Sequence, residues 1–108
     1  MLTQLFVLCN KRNMNRWKTT ELSELFSDIT HLKTEEEFSA FFRDLCTTSE
    51  LTEMSKRWKT AKLLSKGESV RKISEQVGLS TTTVSRVNQW KNNVGEGGYN
   101  TLLAKLNK

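Results

Sequence analysis

The sequence predicts an all-α protein of about six helices that includes a helix-turn-helix. Three observations support this fold class. The 108 residues contain no proline and only five glycines, so helices can form without interruption. From Thr20 onward, apolar residues recur with the i, i+3, i+4 spacing of amphipathic helices. Two pairs, Thr34 with Glu37 and Thr47 with Glu50, have the spacing of a capping box, which marks the start of a helix.

The first predicted helix covers residues 20–31, and a second helix is predicted to start after Thr34. The apolar positions that set this pattern are Leu22, Leu25, Phe26, Ile29 and Leu32. Those of the second helix are Phe38, Phe41, Phe42 and Leu45. These faces are a large apolar load for a small domain. We therefore expect much of their surface to lie in an interface between two copies of the chain.

A third helix is predicted to begin after Thr47 and to end at Gly67. Its apolar side chains are Leu51, Met54, Trp58, Ala61, Leu63 and Leu64. We expect Trp58 to anchor the core and Cys46 to be a core residue near a helix end. Beyond a glycine-rich turn at residues 95–98, the apolar side chains predict a short last helix.

Between these helices, residues 69–88 predict two short helices that meet at Gly78. Ser69 and Ser80 are predicted N-caps, because a serine hydroxyl can accept from the free amides of a first turn. Ser74 is small enough to lie inside the corner, and Gly78 can adopt the left-handed conformation that ends a helix. This pattern is typical of a helix-turn-helix, whose second helix enters the major groove of DNA. An ordinary helical hairpin is the alternative.

The net charge of +5 hides a division of charge along the chain. Residues 21–53 hold nine acidic and two basic side chains, which gives a net charge of −7. Residues 56–91 hold nine basic and two acidic side chains, which gives a net charge of +7. The basic half contains the predicted helix-turn-helix, as expected of a surface that contacts phosphates.

Two sets of residues in the helix-turn-helix are predicted to contact double-stranded DNA. The residues expected to contact base edges are Thr81, Thr82, Ser85, Arg86 and Gln89. The residues expected to bind phosphates are Ser69, Arg71, Lys72 and Lys91. Arginine can pair bidentately with guanine and glutamine with adenine. Phosphate contacts set the register of the protein on the duplex but do not discriminate between base sequences. The chain is therefore predicted to bind DNA sequence-specifically.

The run from Leu45 to Asn88 resembles the tryptophan repressor superfamily. The motifs that carry this resemblance are Arg57 in the long helix, residues 61–64 before Gly67, and residues 84–86 in the second corner helix. With the ending at residues 95–99, the chain is similar to the YerC/YecD-like branch, and the resemblance covers residues 20–106. It implies an all-helical, intertwined homodimer that regulates transcription. Such a dimer would bind a near-palindromic operator with half-sites roughly 34–36 Å apart.

The resemblance also implies a corepressor pocket between the long helix and the second corner helix. The matching positions in this chain are Thr47, Arg57, Thr83 and Arg86. The tryptophan repressor has glycine after the second arginine, whereas this chain has Val87, and overpacking of that kind costs about 1–3 kcal/mol. Asp44 and Cys46 also replace apolar positions, and a carboxylate beside an indole is unfavourable unless it is paired. We therefore expect no cofactor, and we do not expect tryptophan to be a corepressor.

The predicted organisation is a flexible N-terminal extension over residues 1–18, with a basic arm toward DNA as the alternative, and one domain over residues 19–108. The domain is divided into dimerisation helices (19–66), the helix-turn-helix (67–93) and a C-terminal helix (94–108). No apolar run is long enough to span a membrane, and two cysteines do not make a disulfide framework. A cytoplasmic location is therefore expected.

Enzyme activity and metal binding are not expected. The single histidine, His31, has no cysteine or histidine partner at ligand spacing. The chain shows no catalytic set built on serine, cysteine or histidine, and no phosphate-binding loop. The preferred hypothesis is a transcriptional regulator that acts as a repressor. The alternatives are the DNA-targeting module of a transposase or recombinase and a helical adaptor that binds other proteins through its aromatic helices.

Overall fold

The computed structural model describes residues 17–107, and every regular element in this range is helical. The helices are α1 (Thr20–Ile29), α2 (Glu35–Leu45), α3 (Thr48–Ser65), α4 (Val70–Val77), α5 (Thr81–Gln89), a π-helix (Trp90–Val94) and α6 (Gly98–Leu106). The all-α prediction, with six α-helices and a helix-turn-helix, is confirmed. The predicted N-terminal extension lies outside the described residues, except for its last two. The chain divides into two compact units between Phe41 and Phe42.

Helix α1 begins and ends through local hydrogen bonds. The Thr19 hydroxyl accepts from the Leu22 amide at 3.1 Å and caps the N-terminus. The predicted end at residue 31 is wrong, because α1 ends at Ile29. The amide of His31 donates to the Asp28 carbonyl at 3.1 Å, and this i+3 bond takes the place of a further helical turn.

Both predicted capping boxes are present. The Thr34 hydroxyl accepts from the Glu37 amide at 3.1 Å, and the Glu37 carboxylate accepts from the Thr34 amide at 3.2 Å. The same reciprocal pair joins Thr47 and Glu50 at 3.1 and 2.8 Å. Backbone amides that donate to a carboxylate stabilise its charged form, so the pKa values of both Glu37 and Glu50 are lowered.

In the unit from Phe42 onward, α3 packs against α4, α5 and α6. Its buried residues, Thr60 and Ala61, lie in its second half, and the Thr60 hydroxyl donates to the Lys56 carbonyl at 2.8 Å. Met54, one of the apolar side chains of this helix, lies in its first half and is exposed. Trp58 and Cys46 are half-buried and not central to the core.

The helix-turn-helix is built as the sequence predicts. Ile73, Val77 and Val84 form its core, with Leu63, Leu64, Val70 and Leu79 packed against them. The Ser69 hydroxyl accepts from the Lys72 amide and caps α4. Gly78 ends α4 at φ 81° and ψ 34°, which is the left-handed region. The Ser74 hydroxyl donates to the Leu79 carbonyl at 2.5 Å across the corner.

The segment after α5 differs from the prediction. The helix-turn-helix is predicted to extend to residue 93, but α5 ends at Gln89 and passes into the π-helix. The Gly95 amide donates to the Trp90 carbonyl five residues earlier, at 3.1 Å. Asn100 of α6 donates from its side-chain amide to the Lys91 carbonyl at 2.8 Å. The first bond closes the wider turn of the π-helix, and the second joins this turn to α6.

Candidate nucleic-acid interface

The polar face of α5 forms one exposed surface. Val84 and Val87 are buried on the opposite side of the helix, so the intervening positions point outward. The five residues predicted to contact bases all line one shallow depression of about 320 Å³: Thr81, Thr82, Ser85, Arg86 and Gln89. We call this the α5 depression. Only Ser85 among the five is half-buried, and the other four are exposed.

The N-terminal end of α5 is held by its cap. The Ser80 hydroxyl accepts from the Thr83 amide at 3.1 Å and lies 2.9 Å from the Thr83 hydroxyl, to which it donates. Thr83 is half-buried. The first turn of α5 is therefore ordered, and in a helix-turn-helix this turn contacts base edges.

Three of the four predicted phosphate ligands lie at the start of α4. Arg71 is 90% exposed, with its Nε 3.9 Å from Glu75. Lys72 is 71% exposed, with its Nζ 3.9 Å from Glu68. Long, solvent-exposed ion pairs of this kind contribute roughly 0–1 kcal/mol, so both cations are free to exchange these partners for phosphates. Ser69 is the cap of the same helix.

Lys91, the fourth predicted phosphate ligand, belongs to a different element. It lies in the π-helix after α5 and is half-buried. Its carbonyl is occupied by the Asn100 side chain. The structure therefore places one basic residue at the C-terminal end of α5 and the other three phosphate candidates at the start of α4.

A second depression, of about 360 Å³, lies between α3, α5 and α6, and we call it the arginine groove. Its walls are Arg57, Thr83, Arg86, Val87, Trp90 and Tyr99. Three of the four predicted effector residues therefore meet there. Thr47 does not line this groove, because it caps α3 ten residues before Arg57. That separation is roughly 15 Å along the helix axis.

Neighbouring side chains restrain the walls of the arginine groove. The Arg57 Nε donates to the Glu53 carboxylate at 3.2 Å, one turn earlier on α3. Trp58 stacks on Tyr99 with a centroid distance of 6.4 Å and an interplanar angle of 8°. The Lys62 Nζ lies 5.7 Å from the centroid of the Trp58 ring.

Trp90 and Tyr99 are wall residues that sequence reasoning missed. Trp90 follows Arg86 by four residues, which is the spacing of neighbours on a helix surface and could have identified it. No local signal identifies Tyr99, because its place depends on the packing of α6.

Among residues 17–107, no cluster of metal-ligating side chains occurs. Within the same range, no helix combines the length and apolar character needed to cross a membrane.

Comparison with known proteins identifies relatives of the whole helical region. Residues 20–107 match the Trp repressor protein family. The uncharacterised protein YerC of Bacillus subtilis (strain 168) is 36% identical over 93 residues, which cover 86% of this chain and 88% of YerC. The crystal structure of a TrpR-like protein from Eubacterium eligens ATCC 27750 has a TM-score of 0.79 and 38% identity, covering 86% of this chain and 95% of that one. A proposed Trp repressor from Staphylococcus aureus has a TM-score of 0.78 and 34% identity, with coverages of 87% and 93%.

Proposed function

Because this chain belongs to the Trp repressor family, in its YerC-like branch, we propose that it is a sequence-specific transcriptional repressor that binds a near-palindromic operator as a homodimer. The superfamily resemblance expected from residues 45–88 is confirmed. The family consists of DNA-binding regulators and not of enzymes. The observation that carries the proposal is the α5 depression, where all five predicted base-contacting residues meet on one face of the second corner helix.

In the proposed complex, α5 lies in the major groove and the α5 depression faces the base edges. Arg86 pairs with a guanine and Gln89 with an adenine, each contributing about 1–3 kcal/mol of discrimination. The hydroxyls of Thr81, Thr82 and Ser85 complete the contact. A hydroxyl can both accept and donate a hydrogen bond, so these three residues can contact several kinds of base edge and modulate the preference for particular base pairs.

The phosphate contacts come from both ends of the helix-turn-helix. Arg71 and Lys72 release weak ion pairs to bind one stretch of the DNA backbone, and Ser69 lies at the same helix start. Lys91 is assigned to phosphates beyond the C-terminal end of α5. Each neutralised phosphate releases counterions, so the affinity falls by close to one power of salt concentration per contact.

The proposed dimer interface involves α1 and α2. Among the described residues 17–107, neither helix has a fully buried side chain, although both carry apolar side chains at helical spacing. Phe38, for example, is 38% exposed. Two-fold association would cover such side chains and would hold two α5 helices at a fixed separation. Inverted half-sites roughly 34–36 Å apart would then bind both helices at once.

We further propose that operator binding requires no tryptophan. Val87 lines the arginine groove and is 4% exposed, so its side chain occupies space on the groove floor. In addition, Glu53 already pairs with Arg57, which reduces the attraction of that guanidinium for a free carboxylate. Repression then depends on occupancy of the operator alone. The proposed location of the protein is the bacterial cytoplasm, where the chromosome is accessible.

Selection from a random duplex pool at low salt tests the proposal. The expected product is an inverted repeat, bound with one dimer per site. Arg86→Ala should lower the affinity for that site by roughly 5- to 150-fold and relax one base position in each half-site. Lys72→Ala should weaken all duplexes alike and reduce the salt slope by about one.

Lys105→Ala, which removes an exposed charge on α6, is the matched control and should change neither property. Failure of the wild-type protein to bind any duplex at low salt would refute the proposal. An equal, sequence-independent loss for Arg86→Ala and Lys72→Ala would refute the division of roles. Expression from a reporter that carries the selected operator should rise when the protein is removed, and a fall would contradict repression.

A further inference from the structure

Arg86 lies at the boundary between two surfaces. It lines the α5 depression together with the other proposed base-contacting residues. It also lines the arginine groove, where its neighbours include Arg57 and Trp90. It is the residue that these two linings share. The direction of its guanidinium, toward the base edges or into the groove, therefore determines whether Arg86 is available to DNA.

The arginine groove disfavours one of these directions. Arg57 presents a like charge there, which Glu53 offsets only in part, because their ion pair at 3.2 Å is about half exposed to solvent. Arg86 forms no ion pair within residues 17–107. Electrostatic repulsion thus favours the outward direction of the Arg86 guanidinium, but it does not fix a single rotamer. A neighbouring side chain has to supply that restraint.

Trp90 is held where it can supply this restraint. Its amide donates to the carbonyls of Arg86 and Val87, and its carbonyl accepts from the Gly95 amide at 3.1 Å. A Cβ on Gly95 would lie 2.3 Å from the Trp90 carbonyl oxygen and 3.1 Å from Cε3 of the indole. Only glycine lets the chain close this tightly onto Trp90. The backbone at Gly95 therefore packs directly against Trp90 at the end of the π-helix.

Two side-chain amides hold the same turn. Asn100 of α6 donates to the Lys91 carbonyl at 2.8 Å, and Asn92 donates to the Asn88 side chain at 2.8 Å. Despite this network, the Trp90 ring is not buried, since the residue is 52% exposed and faces the groove. The bonds thus fix an indole at the surface, one helical turn from Arg86. A core-packing role does not account for that placement.

We propose that Trp90 is a positioning residue that restrains the Arg86 side chain toward the base edges, and that the turn from Trp90 to Gly95 holds the indole in place. The inference rests on the proposed DNA-binding function. In this proposal the Trp90 ring, four residues after Arg86 and on the wall of the same groove, covers one side of the Arg86 side chain and excludes rotamers that would otherwise be lost on binding DNA. Ordering one such side chain in advance should improve the operator affinity by roughly 2- to 12-fold.

A double-mutant cycle on the selected operator tests the proposal. Trp90→Ala should lower operator affinity by roughly 2- to 12-fold, relax the base position assigned to Arg86, and leave affinity for an unrelated duplex unchanged. Trp90→Phe keeps a flat ring and should restore most of the preference. In an Arg86→Ala background, Trp90→Ala should have no further effect. Additive losses, or equal losses on both duplexes, would overturn the proposal.

Asn100→Ala provides a second variant that preserves the indole. It removes only the side-chain bond to the Lys91 carbonyl and should also relax the base preference at the operator position assigned to Arg86. Asn107→Ala, which replaces another exposed asparagine of the same segment, is the control and should leave that preference unchanged. Circular dichroism verifies the helical content of each variant. If Trp90→Ala does not fold, Trp90→Leu, which has no flat ring, takes its place, and an unchanged base preference in both Trp90→Leu and Asn100→Ala overturns the inference. If the wild type binds no duplex, the proposed function itself is refuted. If the wild type binds its operator selectively but the affinity losses of Trp90→Ala and Arg86→Ala add, only the role of Trp90 is refuted.

Discussion

Replacing Gly78 with alanine isolates the backbone conformation that forms the helix-turn-helix corner. Gly78 has φ 81°, and a Cβ there would meet only the Lys56 Nζ, at 3.7 Å, which is an ordinary contact. Steric overlap is therefore negligible, and the left-handed backbone conformation remains as the main penalty, about 1–2 kcal/mol for a residue with a Cβ. Alanine also restricts the unfolded chain, which offsets about 0.4–1 kcal/mol. The expected net loss in the free energy of unfolding is about 1 kcal/mol.

Urea denaturation monitored by circular dichroism measures this loss as a lower midpoint at an unchanged m value. Gly98→Ala is the matched control, because Gly98 has no atom within 4 Å of its Cβ position and no left-handed φ. Its substitution should leave stability unchanged or raise it by up to about 1 kcal/mol. If Gly78→Ala matched Gly98→Ala in stability, the left-handed conformation would not be what alanine disturbs, and the explanation of the corner would be wrong.

Three further outcomes are expected. The pKa values of Glu37 and Glu50 are lowered from 4.5, so the capping boxes stabilise the fold fully above pH 4.5. This stabilisation is lost as the pH falls through the lowered pKa values. The free energy of unfolding of Glu50→Gln, measured by urea denaturation, should therefore depend less on pH in this acid range than that of the wild type. Saturating tryptophan should leave the operator Kd of the wild type unchanged in fluorescence anisotropy, and a tighter Kd would contradict the role given to Val87. Phe38→Asp should shift the dimer toward monomer in sedimentation equilibrium and weaken operator binding, whereas Ser39→Asp, the adjacent exposed position, should do neither.

The features that sequence predicted correctly depend on residues a few positions apart. A capping box needs only Thr47 and Glu50, and the corner needs only Ser74, Gly78 and Ser80 with their apolar neighbours. Hydrogen bonds of this range form within a single turn of chain, so the local sequence contains all of their determinants. The α5 depression follows from the same logic, because its lining comes from one helix with one buried face.

The features that sequence did not predict depend on contacts between distant elements. The π-helix is one of them: Asn100 of α6 donates to the Lys91 carbonyl within it, and the apolar spacing of α5 does not indicate this contact. Periodicity likewise placed Met54 on an apolar face without showing what covers that face. The arginine groove was expected only by family resemblance, and its aromatic wall at Tyr99 depends on how α6 packs.

The symmetry of the bound DNA distinguishes the proposed repressor from the two alternatives. A dimer with two fixed α5 helices gains affinity from both half-sites at once, so lengthening the spacer by half a helical turn should remove most of the gain. A targeting module that binds as a single copy would tolerate that insertion, because one half-site satisfies all of its contacts. An adaptor would bind neither duplex. Since the basic residues and the α5 depression are identical in these three cases, the spacer dependence tests the role of α1 and α2 and not the chemistry of recognition.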